Sequence, residues 1–119
     1  MARGRAAMFG RDEIAKMRRL GLVERTPDGA EAVRLTVQCR RSAAGQSRQS
    51  WREVLLDWQQ DIGRRLADHG ASLVQGSLSV SAQTVEAIVP VDELPAVCES
   101  MNDCGARVDL LVPRQAAED

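Results

Sequence analysis

The sequence predicts an α+β fold in which two helices cover one face of a four-stranded antiparallel sheet. Three observations lead there. Ser50 to Gly70 is a long amphipathic stretch, with apolar residues at Trp51, Val54, Leu55, Trp58, Ile62 and Leu66. That spacing follows the helical period and gives one stripe that needs a flat apolar surface to lie on. Val33 to Arg40 alternates strictly, with Val33, Leu35, Val37 and Cys39 on one side and Arg34, Thr36, Gln38 and Arg40 on the other. This is the pattern of a half-buried strand. Beyond residue 30 the helical and alternating patterns follow one another as β-α-β-β-α-β.

Before that core, residues 1–10 are small, basic and unpatterned. Arg11 to Leu20 reads as a short helix, with Asp12 as a cap, Ile14, Met17 and Leu20 on one side, and Gly21 as a stop. Leu22 and Val23 read as buried. Thr26-Pro27-Asp28-Gly29 is a turn, with proline at its second position and glycine at its last. The first strand follows, then a polar loop, 41–49. Ser50 and Glu53 are spaced as a capping box for the long helix, and Gly70 is placed to end it. Gly63, inside that helix, costs about 1 kcal/mol against alanine. Close approach of helix and sheet is a reason to keep it.

Ser72 to Ser81 holds the second strand, with Leu78 and Val80 alternating with serines and Gly76 marking a bulge or bend. Ala82-Gln83 is its hairpin turn. The third strand is Thr84 to Val91, with Val85, Ala87, Val89 and Val91 on one face. Pro90 places its end or the sheet edge there. Asp92 then caps a second helix whose stripe is Leu94, Val97, Cys98 and Met101, with Pro95 in its first turn and Gly105 after its end. The fourth strand is Arg107 to Val112, and Pro113 stops it. The domain organisation is a tail and short helix over 1–30, a single domain over 31–114, and an acidic tail over 115–119.

This order of elements is that of the ferredoxin-like plait, in which right-handed crossovers set both helices on one face of the sheet. The helix phase puts Trp51 and Trp58 on the sheet side, as core. The opposite face then carries Arg34, Thr36, Gln38, Ile88 and Leu111, with the N-terminal helix expected to cover part of it. These five are the candidate interface residues, for a homodimer or a partner protein. The order is also similar to that of small regulatory domains of the ACT type. That resemblance implies dimerisation and small-ligand binding, although their first-loop glycine motif is missing here.

Composition narrows the function. At 119 residues with a net charge of −1, the chain lacks the basic excess that binding of nucleic-acid phosphates requires. An RNA-recognition sheet stacks bases on aromatic residues; the chain has no tyrosine, and its one phenylalanine is Phe9. The basic residues are arginines apart from Lys16, as expected of a GC-rich bacterial gene. Three cysteines, Cys39, Cys98 and Cys104, suit a reducing cytoplasm better than a disulfide framework. They have no C-x-x-C spacing, and His69 is the only histidine, so no metal set or cofactor is expected. No apolar run is long enough to span a membrane and no signal peptide is read.

Two further candidates remain. Arg40, Arg41 and Arg48 flank a Gly/Ser loop leading into a helix N-terminus, a setting that favours a phosphate or carboxylate. The loop has no Walker spacing, and the glycine-rich phosphate loop of the acylphosphatase family is not reproduced by Cys39 to Gly45. His69, in phase with Trp51 at the helix's last turn, is the single candidate for acid–base chemistry, and it lacks a recognisable nucleophile partner. The leading expectation is a non-enzymatic interaction or regulatory module. An anion or small-ligand sensor is the alternative, and an enzyme is the least favoured.

Overall fold

A computed structural model describes residues 11–110 of the chain. In chain order the elements are α1 (Arg11–Arg19), β1 (Val23–Arg25), β2 (Glu31–Cys39), α2 (Arg48–Ala67), β3 (Ser72–Leu73), β4 (Thr84–Pro90), a 3-10 turn (Val91–Glu93), α3 (Leu94–Asp103) and β5 (Ala106–Leu110). The fold is α+β, with an antiparallel sheet and three α-helices among the described residues. The sheet has five strands rather than the four expected.

β2 is the centre of the sheet, as its alternation requires. Val33, Leu35 and Val37 are fully buried and Cys39 nearly so, while Arg34, Thr36 and Gln38 between them are half-buried on the opposite face. β4 pairs along one flank of β2, from Ala32↔Pro90 to Gln38↔Thr84. The other flank is shared. β5 pairs with its C-terminal half, from Leu35↔Leu110 to Cys39↔Ala106. β1 pairs with its start, from Val23↔Val33 to Arg25↔Glu31, and the Thr26–Gly29 turn closes that hairpin. β3 lies outside β4.

The additional strand, β1, has a physical reason. Its three residues include one apolar side chain, too few to show an alternation. It is a strand because β2 begins at Glu31 and offers it a partner. Val23 takes the place opposite Val33 on the flank of β2 that β5 shares. The part of the expected fourth strand beyond Leu110 lies outside the described residues.

One core sits under all three helices. The α2 residues Trp51, Leu55, Trp58, Ile62 and Leu66 are buried and form the expected stripe. They join Leu94, Val97 and Met101 of α3 and the inward residues of β2 and β4 in a single cluster. Met17 of α1 is part of the same cluster. Arg18 forks onto Glu31, at 2.7 and 3.0 Å, and Glu31 shares its parity with Val33 and Leu35. The N-terminal helix is therefore on the core side of the sheet and does not cover the opposite face, contrary to the sequence expectation. Met17 is buried there at 4% exposure, within the cluster that holds the inward residues of β2 and β4.

Local caps differ from those expected. Ser47, not Ser50, caps α2; its side chain accepts the Ser50 N–H at 3.1 Å, so the helix starts three residues early. At the other end Gly70 has φ +68°, and the Ala71 N–H reaches the Leu66 carbonyl at 2.9 Å across it. This left-handed C′ residue is the reason for the glycine. Asp92 falls in the 3-10 turn, so α3 starts after Glu93 without a side-chain cap. The second expected strand shrinks to Ser72–Leu73. A turn with Gly76 at φ +76° interrupts it, and the pairing resumes only as a bridge between Ser79 and Thr84. Leu78 and Val80 still pack against the core.

Candidate functional site

The sheet face opposite the helices gathers four of the five expected interface residues. Arg34 lies beside Ile88, and Thr36 lies between Glu86 and Asp109. Gln38 lies between Thr84 and Arg107. Leu111 lies outside the described residues. Arg34 is not a free cation. Its Nε donates to Glu24 Oε2 at 3.1 Å, and its Nη1 is 3.9 Å from Glu86 Oε1. Two carboxylates on neighbouring strands therefore bracket one guanidinium in the middle of the face. The sequence could not pair Arg34 with Glu24, because Glu24 reaches it through β1.

The two outer flanks of this sheet are unlike. On the β3 side the ladder is cut short. The Ser77 hydroxyl stands between the Glu86 N–H and the Val74 carbonyl, and the chain turns outward at Gly76. On the β5 side five residues run in register with β2, and among the described residues nothing pairs with their outer edge. Arg107 and Asp109 point to the open face there and form an ion pair at 3.2 Å. Between β5 and α1 runs a groove of about 300 Å³, with Met17, Leu20, Leu22, Val108 and Leu110 as its apolar wall. Leu20 is 55% exposed, more than any other large apolar side chain among the described residues.

The arginine loop is placed as the sequence suggests. Arg40, Arg41 and Arg48 are all exposed, and none makes an ion pair with a described residue. The loop's start is pinned by Gln83, whose side-chain amide donates to the carbonyls of Cys39 and Arg41 at 3.0 and 3.1 Å. Gln83 holds φ +59°, and these two bonds offset the strain of that left-handed backbone. At the helix end Ser47 already satisfies the Ser50 N–H.

His69 does not sit on the core face of α2. The helix ends at Ala67, and the turn aims the ring at Glu93, with Nδ1 3.3 Å from Oε1. The pair is a half-exposed histidine–carboxylate contact that ties the end of α2 to the 3-10 turn. The thiols are separate: Cys39 is buried, while Cys98 and Cys104 are partly exposed, and none forms a disulfide. Burial pushes the Cys98 thiol up to about 11. No cluster of three or more potential metal ligands occurs among the described residues. No helix among them is long and apolar enough to cross a membrane.

Comparison with protein-family models, with curated proteins and with solved structures gives no match for this chain.

Proposed function

We propose that this chain is a non-enzymatic protein-interaction or regulatory module that acts by self-association or by docking on a partner protein. We also read its fold as a ferredoxin-like plait to which α1 and β1 are added. The strand order β5-β2-β4-β3, with α2 and α3 as the two crossovers, supports that reading. The observation that carries the function is the one-sided sheet. All three helices share one core, while none of them lies on the face that carries the half-buried Arg34, Thr36, Gln38 and Ile88, and no described strand pairs with the outer edge of β5. A cytoplasmic setting suits the three free thiols.

Sedimentation of the full chain over a concentration series tests self-association, and hydrogen exchange locates the covered surface. The expected result is a mass above 13.0 kDa at high concentration, with protection on the sheet rather than on α2. Docking is tested by crosslinking from Gln38→Cys in a lysate of the source cells. A monomer at every concentration together with no adduct at that position overturns the proposal.

A second reading, an anion sensor, draws on the three exposed guanidinium groups near the start of α2. It expects phosphate or sulfate to raise the melting temperature and Arg41→Ala to remove the rise. An unmoved melting curve rejects it.

A further inference from the structure

We infer that the outer edge of β5 pairs with the same edge of a second copy, antiparallel and centred on Val108, to give one sheet through both chains. This rests on the interaction reading above and names its partner and register.

Backbone polarity comes first. The Cys39 N–H donates to Gln83 on the β4 side, at 2.8 Å. Strand residues alternate the side to which they direct N–H and C=O, so Gln38 and Thr36 address β5. Their register partners are Arg107 and Asp109. Those two therefore spend their backbone groups on β2, and Ala106, Val108 and Leu110 direct theirs outward. A second β5 can exchange hydrogen bonds with these three and with nothing else on the strand.

Charge then selects the register. With Val108 on the two-fold axis, Val108 faces its own copy and Ala106 faces the partner's Leu110. Arg107 faces the partner's Asp109, and Asp109 faces the partner's Arg107. These last are non-hydrogen-bonded pairs, whose Cα atoms come within about 4.5 Å, so the side chains meet closely. Both lie on the open face, where Arg107 and Asp109 already pair within one chain. The four side chains close into a ring of alternating sign. Sliding by one step either way sets Arg107 against the partner's Arg107, or Asp109 against the partner's Asp109. Like charges directly opposite are destabilising. The sequence Arg107-Val108-Asp109 thus complements itself in one register and opposes the neighbouring ones, as a two-fold contact requires.

The remaining surface agrees. Edge strands are normally kept from pairing by brevity, bulges, proline or uniform charge. The β3 edge is two residues long and is cut by the turn at Gly76; β5 has no proline among its described residues, and its charges balance. On the core side the exposed Leu20 lines the groove with Val108 and Leu110, giving the second copy apolar surface to cover beside the edge. A five-residue edge with this flank is small against the roughly 800 Å² per partner of a standard interface, so the association is reversible and concentration-dependent.

The test uses the full chain. Arg107→Asp and Asp109→Arg are made separately, at side chains 63% and 54% exposed, so that the fold tolerates them, and circular dichroism confirms it. Each variant alone is expected to associate at least about tenfold more weakly than the parent, because its facing pairs become like-charged. Mixing the two is expected to restore a dimer containing one chain of each, seen by native mass spectrometry. A pair within one chain cannot produce that rescue. A parent chain that is monomeric at every concentration overturns the inference while leaving docking on another protein to its own crosslinking test. A dimer indifferent to both reversals, or a mixture that fails to pair, overturns this edge and register while self-association through another surface stands.

Discussion

The Ser77 hydroxyl accepts the backbone N–H of Glu86 at 2.9 Å. The same hydroxyl donates to the Val74 carbonyl at 2.7 Å, and the Val74 N–H reaches the Glu86 carbonyl at 2.8 Å. A serine side chain is thus inserted into a rung of the β3–β4 ladder. It allows the chain to swing out at Gly76 without orphaning the Glu86 donor. Ser77→Ala removes both bonds and leaves that N–H without its partner. It is expected to destabilise the fold by about 1–3 kcal/mol, read as a lower urea midpoint at unchanged slope. Ser81→Ala, exposed and one bridge away, is the control and is expected to change little.

Gly63 gives a second prediction whose sign depends on one side chain. A Cβ at Gly63 would meet Leu73 Cδ1 at 3.2 Å. Alanine gains roughly 1 kcal/mol of helix propensity. Against this stands a contact tight by a few tenths of an ångström. Leu73 is half-buried on a two-residue edge strand beside a groove of about 430 Å³, so it can yield. Gly63→Ala is therefore expected to raise the melting temperature slightly. Gly63→Val adds branching that both the helix and Leu73 resist, and it is expected to lower it.

The sequence offers close approach as a reason for a glycine at the margin of an apolar stripe, but it does not show that Leu73 is the side chain that comes close. That contrast holds across the molecule. Trp51, Leu55, Trp58, Ile62 and Leu66 are legible because helical burial repeats five times in one stretch, and Val33, Leu35 and Val37 because strand burial repeats at period two. β1 is illegible because Val23-Glu24-Arg25 contains no period at all; its structure is conferred by β2. The β3 region misleads in the opposite way. Leu78 and Val80 do alternate inward, but Gly76 and Ser77 divert the backbone, and burial pattern does not report hydrogen bonding. The same limit applies to the candidate site. Arg34, Thr36, Gln38 and Ile88 follow from parity, whereas the Glu24 partner and the outward polarity of β5 depend on which strands become neighbours.

Acid should weaken the first hairpin and its contact with α1 before the rest. The Arg18 guanidinium beside Glu31 holds that carboxyl below its ordinary value of 4.5. The Thr26 hydroxyl, donating to Asp28, holds that one below 3.8. Folded values below unfolded ones mean that the unfolded chain binds protons first as pH drops. The stabilisation is complete above the unfolded values and is lost as pH falls through the folded ones. Both pairs are exposed, so the effect is modest and screened by salt. Glu31→Gln is expected to flatten the decline in urea midpoint between pH 5 and about pH 3. A decline of the same steepness in Glu31→Gln rejects the assignment.

The thiols make the last prediction. Cys98 is only partly covered, so access alone would let a small alkylating agent reach it. Its thiol, however, is pushed by burial from 9.0 to about 11. Thiolate is the reacting form, and two units leave about a hundredfold less of it at neutral pH. Cys98 should therefore label far more slowly with iodoacetamide than an unfolded peptide of the same sequence, despite its exposure. Here the folded value is raised, so burial of the neutral thiol contributes stability fully below pH 9, and that contribution is lost as pH rises toward 11. Residue-resolved mass spectrometry against pH separates this from simple shielding. A shielded thiol stays slow throughout, whereas Cys98 should accelerate steeply across the alkaline range. Cys39, buried at 3% exposure, is the internal standard, expected to react only when the chain unfolds. A Cys98 rate that matches the unfolded peptide at neutral pH would show that this helix face is open.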